Sequence, residues 1–480
     1  MNSHFLNLPI CDVAVDVQRS MGKLEWWRHS VGQGGVNSLP LPTKVVEGIQ
    51  KLRPRLVRVF IQEFFFIYPD HGTFAWNRLD VFLESFAATG AKIVADLTIK
   101  PKVLFPEVNA TIWLPNDMEE WQRVIFALVQ RYSVEKPYIS YWEVGNETEI
   151  GEQGGCPYLI QGPEDYIEFY IAVVKAIRAA CPKAKVGGPA ACVLDHNPMP
   201  RLIQFCRETG TPLDFVSFHY YNDDPKWALG WIEKIESYFL DWPGPRPEIL
   251  LTEWNKDFYT LHQEYNQRYN RMGRDVSVIE MYREPKRAAI IAASVIEMMG
   301  TKLDWSFLYS IWDQTLYPDT WRPWFSEAGV RMLAERCNDL PLRLKLFGYR
   351  NEADPSFFFY LLLTRMGDEK LFAQSSSTDV RVLAGCQAGE QSVMLVNFNL
   401  IESNDKIIEV TFQNLKPGSR RLTIYRIDQE CRWNEETLEP NPIEIRDTYT
   451  LENFCTQVYL PADSISVIHL KECPPLLTIK

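Results

Sequence analysis

The chain has 480 residues, 46% apolar and 23% charged, which is ordinary for a globular protein and long enough for one large domain plus a smaller one. Its net charge is −12 and no dense Lys/Arg block occurs, which argues against a nucleic-acid or anionic-membrane surface. No run approaches the roughly 20 apolar residues of a membrane span, so no membrane partner is expected.

The N-terminal stretch MNSHFLNLPICDVAVDVQ lacks the basic and long apolar segments of a signal peptide. It predicts a cytoplasmic protein with mostly reduced thiols, and a signal removed earlier would leave secretion open. Ten cysteines are scattered without a Cys-x-x-Cys pair, so neither a metal centre nor a redox motif is indicated. Aromatic residues make up 13% of the chain, suited equally to core packing and to stacking on sugar rings.

In chain order, CDVAVDV (11–17) alternates apolar and polar positions. Strand-like runs then follow at HSVGQG (29–34), LVRVFI (56–61), AKIVADLT (91–98), YISYWEV (138–144), AKVGGP (184–189), DFVSFHYY (214–221), EILLTEW (248–254) and DWSFLYSIW (304–312). Amphipathic stretches at 117–132, 163–180, 226–239 and 283–299 lie between them. Eight strand–helix units predict a (β/α)₈ TIM barrel. The competing open doubly wound sheet lacks a Gly-rich phosphate turn after its first strand. Beyond residue 375 the helical period gives way to alternating runs such as SVMLVNFNL, KIIEVTFQNL, RRLTIYRI and DSISVIHL. The expected organisation is a barrel over 23–365 and an accessory β-sandwich from 1–22 plus 366–480, with 11–17 pairing into the sandwich.

The active-site face of such a barrel lies at the C-terminal strand ends. Glu147 falls there, in WEVGNE after the fourth strand, and so does Glu253, where the apolar run ILL ends in Thr-Glu-Trp-Asn. Two carboxyls facing each other across the mouth are what glycosidic hydrolysis needs: one attacks the anomeric carbon and the other protonates the leaving oxygen. Asn146 can hydrogen-bond the neighbouring sugar hydroxyl. By strand parity with Glu147, Glu143 points into the barrel towards a basic partner. Glu149 and Glu152 read as loop surface.

The chain resembles glycoside hydrolase family 39, in the clan of retaining (β/α)₈ glycosidases. The resemblance rests on FAWNRLDVFLESFAATGAKIVADLTIKP (74–101), WEVGNE (142–147), LDFVSFHYY (213–221), LLTEWN (250–255), VRVLAGCQAGEQSVMLVNFNL (380–400) and RRLTIYRID (420–428). It implies that Glu147 is the acid/base, Glu253 the nucleophile and Asn146 the contact to the 2-hydroxyl. Arg58 would orient the nucleophile, while His219 and Tyr221 would line the sugar site and touch that nucleophile. Either Tyr309 or Trp312 would be the ring platform.

An exo-acting retaining glycosidase of β-xylosidase type acting on a carbohydrate, with no metal or organic cofactor, is the function so implied. The sequence departs from the family where Arg-Phe-His-Gly becomes Arg58-Val59-Phe60-Ile61, removing a sugar-binding His. This leaves open another pentoside, a uronide or endo action on the same fold; a barrel that only binds glycans is the remaining alternative. The long connection 256–282, with Tyr259, Tyr265, Tyr269 and Tyr282, is expected to cover the site or to meet a neighbouring subunit, which leaves a homo-oligomer open.

Overall fold

The computed structural model describes residues 8–192, 198–257, 285–339, 344–430 and 433–473. The connection 256–282 therefore lies almost wholly outside the described residues. After an N-terminal strand β1 (Ile10–Lys23) come β2 (His29–Gly32), β3 (Leu56–Ile61), β4 (Lys92–Leu97), β5 (Ile139–Val144), β6 (Lys185–Ala191), β7 (Phe215–Tyr221), β8 (Glu248–Asn255) and β9 (Trp305–Tyr309). Strands β2 to β9 are parallel in sequence order, and β9 closes on β2, giving the eight-stranded barrel. The helices follow local chemistry. In Met118–Val129, Asp117 accepts the Glu120 N–H at 2.8 Å and caps the N-terminus. Trp121, Val124, Ile125 and Leu128, spaced by three and four, turn to the core.

The barrel interior changes character from bottom to top. Leu56, Val94, Tyr141, Phe215, Leu250 and Phe307 form an apolar plug at its lower end. Two residues further along the same face stand Arg58, Asp96, Glu143 and Tyr309, with Ser217, His219 and Tyr221 continuing up β7. An apolar floor thus carries a polar layer beneath the strand ends. The eighth barrel strand is shorter than the sequence predicts. It ends at Tyr309 because Ser310 turns to exchange backbone hydrogen bonds with Leu344 and Leu346, at 2.8 and 2.9 Å.

The C-terminal strands form one nine-stranded sheet in the order 442–450, 418–427, 464–472, 390–397, 380–387, 369–375, β1, 406–413, 454–460. Within it β1 runs antiparallel to Glu369–Ser375 and parallel to Lys406–Gln413. Ile408, Val410 and Phe412, near one end of that order, share an apolar cluster with Leu422, Ile424 and Leu470 from the other. The sheet therefore folds over itself into two layers. No helix among the described residues is long and apolar enough to cross a membrane.

Candidate active site

Strand β5 ends at Val144, and Gly145 follows with φ +82°. Glu147 itself has φ +46°, a left-handed conformation that costs a non-glycine residue about 1–3 kcal/mol and needs surrounding support. The support is visible: Glu147 N donates to Ala190 O of β6 at 3.0 Å, and Glu147 O accepts from Ile150 N and Gly151 N. Gly154 packs so tightly that a Cβ there would lie 2.3 Å from Glu147 Oε2.

Glu253 reaches the mouth through a bulge. Strict alternation from the inward-facing Leu250 would turn it outward. The β7–β8 register instead passes from Phe218–Leu251 to His219–Glu253, inserting Thr252 and re-aiming the carboxyl.

The side chains converge on Arg58, whose guanidinium is almost wholly buried. Its Nε donates to Glu143 Oε2 at 2.7 Å, Nη1 to Glu253 Oε2 at 3.1 Å and Nη2 to Asn146 Oδ1 at 2.8 Å. The Tyr221 hydroxyl donates to Glu253 Oε1 at 2.5 Å. Asn146 Nδ2 donates to Gly154 O at 3.1 Å. His219 Nδ1 lies 2.7 Å from Glu147 Oε1 and 4.0 Å from Glu253 Oε2. It thus bonds the first carboxyl, whereas the resemblance implied contact with the second.

Electrostatics separates these groups. Burial raises the Glu147 carboxyl to about 7, against the opposing pull of Arg58, Arg336 and the Cys192 thiol. Burial also lowers His219 to about 4, so its ring is neutral at physiological pH. Glu253 is held by two donors, one of them a fixed cation. One donor atom each from Glu147, His219 and Glu253 lies within 4.8 Å of the others, a spacing that could hold a metal ion. Their existing bonds, and the Arg58 charge 3.1 Å from Glu253, favour the hydrogen-bonded arrangement.

Glu253, Asn146, Arg58 and Tyr221 are thus joined in one network, and the Glu147–His219 pair stands beside it, His219 Nδ1 4.0 Å from Glu253 Oε2. Tyr309 adjoins that network, its ring edge-on to Tyr221 with centroids 6.5 Å apart. Trp312 has left the barrel wall and exchanges backbone bonds with the Gln33 side chain. Tyr309 thus stands beside the carboxyls, through its contact with the ring of Tyr221, whose hydroxyl bonds Glu253.

Glu149 and Glu152 are not loop surface. Glu149 is buried and accepts Cys192 N at 2.6 Å, while Glu152 accepts Ser326 N at 2.6 Å. The left-handed turn at Gly145 and Glu147 folds this loop back onto its neighbours. Sequence reasoning passed over Asp96, whose parity with Val94 would have placed it inside the barrel. It also passed over Lys345, which carries no motif.

The family model described as Glycosyl hydrolases family 39 matches residues 13–431. The chain belongs to that family. Membership of family 39 makes it a glycoside hydrolase. It is 22% identical to a β-xylosidase of Geobacillus stearothermophilus over 223 residues, 41% of this chain and 44% of that protein, so this match spans less than half of the relative. With a β-xylosidase of Caldicellulosiruptor saccharolyticus it shares 22% identity over 387 residues, 74% of this chain and 70% of the other. The fold is similar to that of a monomeric β-xylosidase from Caulobacter crescentus CB15, with TM-score 0.73 and 17% identity, covering 97% and 100% of the two chains. In this family 39 chain Phe60 occupies the position of the missing His, its ring 4.4 Å from the Arg58 guanidinium.

Proposed function

We propose that the protein is a retaining, exo-acting β-glycosidase of β-xylosidase type, working through a covalent glycosyl-enzyme. The observation that carries this reading is the closeness of the two carboxyls, with oxygens of Glu147 and Glu253 within 4.8 Å. Direct attack by a carboxylate goes with a carboxyl separation of about 5–5.5 Å, whereas an inverting enzyme leaves roughly 6.5–9.5 Å for a water.

Glu253, aimed by Arg58 and Tyr221, attacks the anomeric carbon. Glu147, raised to about 7, protonates the departing oxygen. Glycosylation removes the Glu253 charge, which lowers the Glu147 affinity for its proton and lets it serve as base towards water. With its proton on Nδ1, neutral His219 donates to Glu147 Oε1 and leaves Oε2 for the leaving group. Asn146 has one N–H remaining for the 2-hydroxyl, after Arg58 and Gly154 fix its amide.

Two variants and one activated substrate test the roles. Glu253→Gln removes the attacking charge, so activity falls by orders of magnitude on every glycoside. Glu147→Ala still releases dinitrophenolate, which needs no proton, but then lacks its base, so the glycosyl-enzyme accumulates and azide restores turnover. Mass spectrometry should place the sugar on the peptide containing LLTEWN; sugar on another carboxylate would overturn the assignment.

A second reading, hydrolysis of a uronide, is favoured by one observation. The half-buried Lys345 reaches over the Tyr309 ring, its Nζ 4.0 Å from the centroid. It makes no ion pair with a carboxylate among the described residues, and burial lowers its proton affinity with Asp313, Cys337 and Glu253 opposing. A sugar carboxylate would complete that cation. A panel of nitrophenyl xylosides, arabinosides, glucosides and glucuronides on wild type and Lys345→Met separates the two readings, since only uronide turnover should fall in the variant.

A further inference from the structure

Beneath the two catalytic carboxyls lies a second pair of acids that the reaction above does not use. Asp96 on β4 and Glu143 on β5 are register partners on adjacent parallel strands, so both side chains enter the barrel at one level. Both are 0% exposed. Asp96 Oδ1 accepts from Thr98 Oγ1 at 3.1 Å, and Glu143 Oε2 accepts from Arg58 Nε at 2.7 Å. The other oxygen of each, Asp96 Oδ2 and Glu143 Oε1, is buried without a hydrogen-bond donor among the described residues.

Charge counting makes this arrangement untenable as drawn with two carboxylates. The Arg58 guanidinium bonds Glu143 and Glu253, while Asp96 Oδ2 stands 3.9 Å from Nη2, too far for a hydrogen bond. Three carboxylates against one guanidinium would leave excess negative charge where no water reaches, and a buried carboxyl in that position takes up a proton. A buried acid O–H needs an acceptor, and the orphaned Glu143 Oε1 on the register partner is one.

We propose that Asp96 is protonated and donates through Oδ2 to Glu143 Oε1, so that the pair carries a single negative charge and Asp96 acts as a positioning residue for Arg58. The consequence lies at Nη2, which bonds Asn146 Oδ1 at 2.8 Å and faces Asp96 Oδ2. An ionised Asp96 would compete for that N–H and release the Asn146 amide; the proton prevents it. Burial pushes the Asp96 carboxyl well above the usual range, with Arg58 and the Thr98 hydroxyl opposing and Glu143 and Glu253 adding to the rise. The proton stands on the geometry of the pair, whereas its use to the reaction rests on the functional reading above.

Infrared spectroscopy of the intact enzyme at pH 7 to 8 tests this directly. Exposed carboxyls are ionised there, with ordinary values near 4, and Glu63 and Glu147, which burial raises into this range, are glutamates. Labelling with ¹³C-aspartate separates an aspartic-acid band from theirs, and its loss in Asp96→Asn assigns it to Asp96. We expect a carboxylic-acid C=O band that moves with the label, vanishes in Asp96→Asn, and vanishes in Glu143→Gln because Asp96 then becomes the counter-ion of Arg58. Asp96→Asn, which can still donate an N–H to Glu143, should keep a kcat/KM at least tenfold above that of Asp96→Ala. Absence of a labelled band in the wild type overturns the proposal without need of any variant, and so does a band indifferent to Glu143→Gln. A wild type lacking the band but glycosylated on Glu253 would sink this inference alone; a band present with sugar trapped elsewhere would sink the assignment of the nucleophile instead.

Discussion

Glu147 must hold a proton when the leaving group departs, and burial places its titration near 7. The acid form is lost as pH rises through that value, so kcat/KM should decline tenfold per pH unit well above it. In Glu147→Gln assayed with a dinitrophenyl glycoside, that alkaline limb should be absent from the kcat/KM profile; its persistence would mean another group is the acid. Tyr221→Phe deletes a hydrogen bond to a charged carboxylate, a contact typically contributing about 1.5–3 kcal/mol. We expect kcat/KM to fall roughly 10- to 100-fold with melting temperature nearly unchanged. The two carboxyls were legible in the sequence because an acid ending an apolar strand is hard to explain by packing. Parity turned Glu143 into the barrel towards a basic partner, and the structure identifies that partner as Arg58. Asp96 was not picked out because its partners come from β3 and β5, and only the closing of the barrel shows how many acids one guanidinium must serve.

All eight barrel strands could be found as apolar runs between amphipathic stretches, since parallel strands are covered on both faces. What the runs could not reveal was the aim of individual side chains. The bulge at Thr252 overrides alternation on β8, and only the β7–β8 register discloses it. The turn after β5 is similar: the glycine at 145 signals a bend, but nothing local shows that Gly154 returns to pack on Glu147. That contact gives a prediction at this scale. A methyl group at position 154 would sit 2.3 Å from Glu147 Oε2 and 2.6 Å from its Cβ, so Gly154→Ala must displace the acid. Misplacement by about 1 Å can cost on the order of 100-fold. The expected phenotype is a large loss of kcat with native circular dichroism, and wild-type kinetics in the variant would show that the loop yields instead.

The barrel and the nine-stranded sheet do not keep separate cores. Leu383, Met394, Val396, Ile465 and Val467 of the sheet belong to the same buried cluster as the barrel helices, including Ile290, Ile291 and Val295 of Pro285–Met298. Arg381 on the sheet donates to Glu297 of that helix at 2.8 Å, and Phe358 stacks on Trp433 at 4.7 Å. The alternation of residues 11–17 showed to which sheet they belong, but alternation is blind to what covers a sheet's second face. Strand β1 is the element on which this union can be tested, because it joins two strands distant in sequence and makes no ladder with the barrel. Val15 is fully buried between the sheet layers, with Ile408, Val410 and Leu371 in its cluster. Val15→Asp places an unpaired carboxylate there, a change that typically costs several kcal/mol, about 3–5 by analogy with an uncompensated buried charge. If the two modules were independent, calorimetry of the variant would show an early transition for the sheet and an unchanged one for the barrel, with activity surviving the first. A shared core instead predicts one cooperative transition at lower temperature, with hydrolysis lost as the sheet melts although no active-site residue has been touched.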